Sequence, residues 1–333
     1  MKKNIIIGCL ISAVFMYLAV RGINFSEVGR SFQSANYLYT IPIILIVVLV
    51  LFFRSFRWGI ILEPTVKYPQ WPLFSITAVG FMTISVLPAR VGELTRPLLV
   101  KQKSGVRMSS TMATIVVERV FDLLTLMAVL GLVILMMPLP PEIFRAGLVI
   151  LIVALSIFVV LILMAGKKDF SLKIFNLLLN RLPARIGGVI RNQLHAFIEG
   201  LEILPDVKKT LYVALLSLII WGLLALSCYL LFFSFRFDLS LFKAFALTVI
   251  IAIGVMLPAA PGFVGNYHYA CVLGLKFFGI NEAAALSYAI ILHFLQILPV
   301  VAIGLGLLPS QKISLPDFIK KETKEIVQKE ELT

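Results

Sequence analysis

A chain of 333 residues that is 60% hydrophobic, 14% charged and has a mean hydropathy of +1.01 is not an ordinary soluble domain, whose charged share is about 25%. The composition demands a polytopic membrane protein. Its formal net charge of +13 then belongs to lysines and arginines that hold loops on the cytoplasmic side beside anionic lipid, and nucleic acid drops out as a partner.

The first element is the run "MKKNIIIGCLISAVFMYLAV". It has the charge and apolar core of a signal peptide. No small-x-small cleavage site and soluble domain follow, so it is expected to be a first spanning helix over 4–20. Further spans of about 20 apolar residues are expected at 38–53, 111–137, 146–165, 211–233 and 284–308. Two runs are too short to cross. Residues 73–87 and 244–257 both end in Leu-Pro-Ala, which predicts a broken or re-entrant helix at each. Between the long runs, 167–210 is polar. There Ile190, Leu194, Phe197, Ile198 and Leu201 recur at helical spacing opposite Arg191, Glu199 and Glu202. That pattern fits an amphipathic helix on the inner surface or a plain linker. The three cysteines, Cys9, Cys228 and Cys271, sit in apolar runs and make no disulfide framework or metal spacing.

If the N-terminus is cytoplasmic and 73–87 dips in and returns, 23 of the 30 Lys and Arg residues face the cytoplasm, and the C-terminus does too. The second short run then enters from the exterior. One broken helix from each side is the pattern of an inverted repeat, with a binding site where the interrupted segments meet. "LPARVG" at Leu87 and "LPAAPG" at Leu257 support the pairing; a third copy, "LPARIG" at Leu182, lies in the polar connection. The fold class expected is therefore all-α: a membrane helix bundle of two inverted halves. Residues 1–165 form the first half, with its re-entrant segment near 73–97. Residues 166–210 form a cytoplasmic connector, 211–310 the second half with its break near 244–275, and 311–333 a charged cytoplasmic tail.

Charged residues inside apolar elements carry the chemistry. Arg90, Glu93 and Arg96 follow the first broken helix, with Gly92 among them. Glu118, Arg119 and Asp122 stand within the next span, Glu118 and Asp122 on one face. Asp122 falls about 20 Å along its helix, where an ionisable residue costs about 2.5–3.5 kcal/mol on insertion scales and marks a pathway or a pair. Two readings stay open. Either the carboxylates neutralise Arg90 or Arg96 and fix the hairpin, or the arginines line a pocket for an anionic headgroup. In the second broken segment, Pro258, Pro261, Gly262 and Gly265 stop a regular helix, and Asn266 and His268 follow. Freed amides there suit an anion, and a plain exterior hairpin suits the spacing equally. His268 and His293 are weak candidates. No catalytic, phosphate-loop or metal-ligand motif is present, so no cofactor or metal is expected. Glu118 and Asp122 alone are thin evidence for Mg²⁺.

At these residues the chain resembles the lysylphosphatidylglycerol synthase transmembrane, or flippase-like, family. The elements shared are R-x-G-E-x-x-R at Arg90, Gly92, Glu93 and Arg96; E-R-x-x-D at Glu118, Arg119 and Asp122; P-x-x-P-G-x-x-G at Pro258, Pro261, Gly262 and Gly265; and an arginine-rich turn, "FRSFRWGIIL", at Phe53. The resemblance runs from about residue 5 to residue 308. It implies an inner-membrane protein of two inverted halves that moves lipids between leaflets. It also implies that the acyltransferase-like domain of the full synthases is missing here. The family pattern often has a glutamate where this chain has His268. The function expected is a non-enzymatic translocase, its anionic headgroup held by Arg90 and Arg96 between the broken helices and its carboxylates orienting the arginines. The alternatives are a membrane transferase acting on a polyprenyl-phosphate or glycolipid, and a scaffold that binds a separate lipid-modifying enzyme through 167–210.

Overall fold

The computed structural model describes residues 2–87, 92–136, 141–168, 170–173 and 184–311. Arg90, Pro88 and the tail beyond Gln311 lie outside the described residues, as does the start of the third Leu-Pro-Ala copy. The described secondary structure is helical: α1 (Lys2–Val20), α2 (Phe25–Ser34), α3 (Thr40–Leu62), α4 (Gln70–Val86), α5 (Thr95–Ser104), α6 (Met108–Met136), α7 (Pro141–Gly166), α8 (Ala184–Glu199), α9 (Val207–Ser234), α10 (Leu241–Met256), α11 (Asn266–Phe277) and α12 (Glu282–Leu307). Asparagines start several of them. The side chains of Asn24 and Asn281 accept hydrogen bonds from the amides of Ser26 and Ala283, satisfying donors that a helix leaves open. Pro42 and Pro72 fall in the first turns of α3 and α4, where a missing amide costs nothing.

Among the described residues, five helices are long and apolar enough to cross a membrane: Tyr37–Leu62, Met108–Met136, Gly147–Gly166, Val207–Ser234 and Glu282–Gln311. A sixth crossing is the pair Gly8–Val20 and Phe25–Ser34 if that pair, bent by 80°, counts as one. The two short runs are helices of 17 and 16 residues. At 1.5 Å per residue they reach about 24–26 Å, short of a hydrocarbon core of about 30 Å. One expectation needs correcting. The span expected to end at residue 53 continues to Leu62, so Arg54 and Arg57 lie inside α3 and not in a cytoplasmic turn. The helix continues because Arg57 has buried partners, described below.

The chain divides into two compact units: residues 1–51, 75–95 and 222–333, and residues 52–74 and 96–221. The first has a core of Ile43, Phe232, Leu247, Tyr288 and Leu292, where the Tyr288 hydroxyl donates to the Cys228 carbonyl at 2.7 Å. Also in this unit, α12 lies against α4 at Gly304. A Cβ there would stand 2.4 Å from Met82 Cβ and 3.0 Å from the Ala78 carbonyl. The second unit is built around Ile61, Val117, Phe121, Leu161, Leu201 and Val213. The amphipathic pattern of 190–201 serves this core. Leu201 and Leu204 are buried in it with Phe197 packed against it, Ile198 is buried nearby in sequence, Glu199 and Glu202 are exposed, and a Cβ on Gly200 would come within 2.2 Å of the Ser110 carbonyl on α6.

The close approach at Gly304 makes a prediction. Gly304→Val should lower the stability of detergent-purified protein by about 1–3 kcal/mol, the usual cost of overpacking, read as a lower thermal midpoint. An unchanged midpoint would mean that α12 and α4 do not meet there.

Candidate functional site

The second unit gathers most of the expected charged residues around one carboxylate. Glu118, on α6, is fully buried. Its Oε2 accepts from Arg96 Nη1 at 2.8 Å, and its Oε1 accepts from Arg96 Nη2 at 3.3 Å, a two-pronged contact. The same Oε1 lies 3.4 Å from Arg57 Nη2 and 3.4 Å from Arg119 Nη2. One turn on, Asp122 Oδ1 accepts from Arg57 Nη1 at 2.7 Å, and its Oδ2 lies 3.5 Å from Arg119 Nη1. Arg57 Nη1 also donates to the Ser217 hydroxyl on α9 at 2.7 Å. The ring of Trp58 supports Arg96, whose guanidinium carbon stands 4.9 Å from the ring centroid, and the indole N–H donates to Thr114 Oγ1 at 3.1 Å. Arg54, one turn before Arg57, is surrounded by the charges of Asp122, Arg119, Arg57 and Glu118. Four guanidinium groups and two carboxylates thus share one site. Arg57, Arg96 and Glu118 are sealed, whereas Arg119 is 35% exposed and Asp122 is 14% exposed. Both Glu118 oxygens already face guanidinium N–H groups, so a Mg²⁺ ion there would meet three cations.

In the first unit, the first hairpin turns back at Gly92. A Cβ on Gly92 would lie 2.2 Å from the Ile84 amide nitrogen, so the returning chain touches the α4 backbone and only glycine fits. The Thr83 and Thr95 hydroxyls join across the hairpin at 2.9 Å. Glu93 is half-buried beside this turn.

The second broken segment belongs to the same unit. Leu257–Ala260 is extended, Pro261–Phe263 makes one tight turn, and Gly262 and Gly265 have φ of +68° and +89°. Such angles favour glycine. Gly265 also admits the Ser12 carbonyl, which would stand 2.2 Å from a Cβ. Asn266, at the start of α11, sends its side-chain amide to the carbonyls of Gly254, Leu257 and Pro258 at 3.2–3.5 Å. It thereby closes the open C-terminus of α10. Ser12 on α1 accepts the Ala260 amide at 2.6 Å and donates to Asn266 Oδ1 at 3.4 Å. His293 Nε2 donates to the Gly262 carbonyl at 2.7 Å, which makes Nε2 the protonated ring nitrogen. His268 Nδ1 accepts from the Gly265 amide at 3.4 Å, and the two imidazoles stand edge to face, 4.7 Å apart. Gly262 in turn lies against the end of α4, with the Ser85 carbonyl 3.4 Å from its notional Cβ.

The expected residues that the structure describes therefore fall into three groups. Arg96, Glu118, Arg119 and Asp122 form the ion cluster; Gly92 shapes the first hairpin, with Glu93 beside it; and Pro258, Pro261, Gly262, Gly265, Asn266 and His268 build the second. Arg57, Arg54, Trp58 and Ser217 were not among the residues expected at the site. The arginine-rich turn was the available signal, since two arginines directly after an apolar run mark either an exit or a buried pair.

Comparison with known proteins agrees with this architecture. The description of the lysylphosphatidylglycerol synthase TM region fits residues 5–304. The chain is similar to a UPF0104 membrane protein of Methanothermobacter thermautotrophicus, 22% identical over 92% of this chain and 94% of the relative. It is also similar to the UPF0104 membrane protein MJ1078 of Methanocaldococcus jannaschii, 23% identical over 66% of this chain and 90% of the relative. No solved structure matches the chain.

Two predictions follow from the ion pairs. Glu118→Gln should destabilise the protein by about 3–5 kcal/mol, because buried guanidinium groups lose their counter-charge. Asp122→Asn, closer to the surface, should cost less, and the ranking of thermal midpoints checks both. The second concerns Glu63, just past the end of α3. The Lys209 ammonium, 2.7 Å away, holds its carboxyl below the ordinary value of 4.5. A carboxyl with a lowered pKa in the folded state stabilises at pH above its unfolded value and loses that contribution as pH falls through the folded value. Glu63→Gln should therefore flatten the loss of stability on acidification below about pH 4.5, and leave the midpoint at pH 8 little changed, since the pair is partly exposed.

Proposed function

We propose, from the premise that this chain belongs to the lysylphosphatidylglycerol synthase TM-region family, that it is a flippase-like translocase which carries an anionic lipid headgroup across the cytoplasmic membrane without chemical change. The observation that supports this reading is the cluster of Arg54, Arg57, Arg96 and Arg119 against Glu118 and Asp122 inside a multi-pass membrane protein. Four guanidinium groups against two carboxylates leave the site with an excess of positive charge, which favours an anion. Here four planar guanidinium groups converge, and that fork geometry matches phosphate oxygens. Arg119, partly exposed, offers the first contact, and Arg57 and Arg96 are held in position by Glu118 and Asp122. The acyl chains stay in lipid. The inward-facing termini and an inverted-repeat relation of the two short helices, α4 and α10, belong to the same proposal. They draw support from the distribution of basic residues and from the paired breaks.

The test is reconstitution in vesicles with labelled phosphatidylglycerol, scoring leaflet exchange and product formation in parallel. Arg119→Ala, at the more open flank, and Arg54→Ala, one turn before Arg57, should each slow exchange roughly tenfold, as the loss of a charge-assisted hydrogen bond implies. The variants should elute as folded protein. Arg96→Lys should also slow exchange, because an ammonium cannot make the two-pronged contact. Normal exchange in both alanine variants removes the headgroup assignment, and a modified lipid product instead favours a membrane-embedded transferase.

A further inference from the structure

Helix α2 has no part in the ion cluster or the broken hairpins, and its placement in the first unit is unusual. It is bent by 80° from α1. With ten residues it is about 15 Å long, half of what a crossing needs. Both of its ends are closed locally. Asn24 accepts from the Ser26 amide at its start, and at its end the Ala35 amide donates to the Phe32 carbonyl, after which Asn36 begins a new turn by accepting from the Leu38 amide. It is thus a self-contained helix and not the remainder of an interrupted span.

Its neighbours are the ends of helices that cross. The Asn36 amide donates to the Ser234 carbonyl, and the Ser234 hydroxyl donates to the Asn36 carbonyl, both at 2.9 Å, which ties the chain after α2 to the last residue of α9. Tyr39, at the start of the α3 span, stacks on Phe233. Ser287, in the second turn of α12, donates to the Val28 carbonyl at 3.2 Å. The end of α1, the start of α3, the end of α9 and the start of α12 therefore meet at one level, and α2 lies at that level.

The residues of α2 are sorted to match. Val28 and Phe32 pack into the core of the first unit, while Ser26, Arg30, Gln33 and Ser34 are exposed. On either side run lanes of exposed apolar residues, Val14, Tyr17 and Leu18 on α1 and Leu38, Ile41 and Leu45 leading into α3. Both lanes stop at α2. Phe25 and Tyr37, 65% and 49% exposed, flank it as an aromatic belt would.

We propose that α2 is an interfacial helix, lying in the membrane plane with its Ser26, Arg30 and Gln33 face against phospholipid headgroups and with Phe25 and Leu38 set just inside the hydrocarbon. Arg21 and Arg30, both exposed, reach the phosphate layer. In this arrangement α2 sets the depth at which α12 starts. The site it makes is for the bilayer surface itself and stands apart from the arginine cluster.

The experiment uses the full chain in phosphatidylcholine–phosphatidylglycerol vesicles, with Cys9 changed to serine and the buried Cys228 and Cys271 left in place. Nitroxide labels go singly on F25C, S26C, Q33C and L38C, with L45C as the hydrocarbon reference. Every labelled position is exposed in the folded protein, so the labels leave the packing intact. The oxygen-to-nickel-chelate accessibility ratio should be roughly threefold higher at 25 and 38 than at 26 and 33, with 25 and 38 about 5–10 Å deep. Ratios at 26 and 33 equal to that at 45 would make α2 part of a broken span. Ratios at 25 and 38 as low as those at 26 and 33 would lift α2 clear of the membrane. Either result overturns the proposal.

Discussion

Burial of the Glu118 carboxylate is the constraint on which the second unit depends. An ionised carboxylate away from water is tolerated only where its Coulomb partners are close and its lone pairs are filled. Arg96 supplies a two-pronged contact and Arg57 a further cation, and each donor comes from a different stretch of chain. Arg96 opens α5, and Arg57 extends α3 beyond its purely apolar part. Satisfying Glu118 therefore fixes where α3, α5 and α6 pass one another. Trp58 then holds Arg96 from its face, and its indole N–H reaches back to α6. A pair this deep is weak evidence of net stability and strong evidence of a specified arrangement, because most misplaced registers would leave a charge unpaired.

In the first unit the governing requirement is the backbone. Stopping a helix inside a membrane protein frees carbonyls that hydrocarbon cannot satisfy. Asn266 supplies one amide to three carbonyls around the end of α10, Ser12 takes the Ala260 amide, and His293 donates to the Gly262 carbonyl. Residues that look like ligand-binding candidates by type thus also hold the break open and ordered. The two positive-φ glycines and the close approach at Gly92 serve the same end.

How much of this was legible in the sequence follows from the range of the interactions. The long apolar runs, the two short helices and the positions of their breaks are local properties, visible as runs and prolines, and the structure has them. Glu118, Arg119 and Asp122 stood out because charge inside an apolar run is costly. Arg57 did not. Its partner Asp122 is 65 residues away, and a pair of arginines after an apolar run looks the same whether it leaves the membrane or turns to a buried carboxylate. The helical periodicity of 190–201 was legible, but Ile190 at its start is exposed while Ile198 and Leu201 are buried, and the pattern alone does not say whether lipid or α6 covers the apolar face. Helix α2 was invisible for a related reason. Ten residues of mixed polarity between two spans resemble a loop until the ends of the neighbouring helices are seen to surround them.

Under the proposed function, the ion network also bears on how a headgroup would be taken up and released. A phosphate that engages Arg57 or Arg96 has to compete with Glu118 and Asp122, which already fill the positions its oxygens would take. The carboxylates then act as internal stand-ins for the ligand: they keep the guanidinium groups charged, oriented and desolvated between visits. Binding is an exchange of one anion for another, so the gain on capture is smaller than the gross strength of an arginine–phosphate contact, and release is correspondingly easier. That balance suits transport, in which a tightly held headgroup would not leave on the other side. Arg119, at the open flank of the cluster, then does most to attract the ligand, and the sealed pair of Arg96 and Glu118 does most to keep the frame in which the exchange takes place.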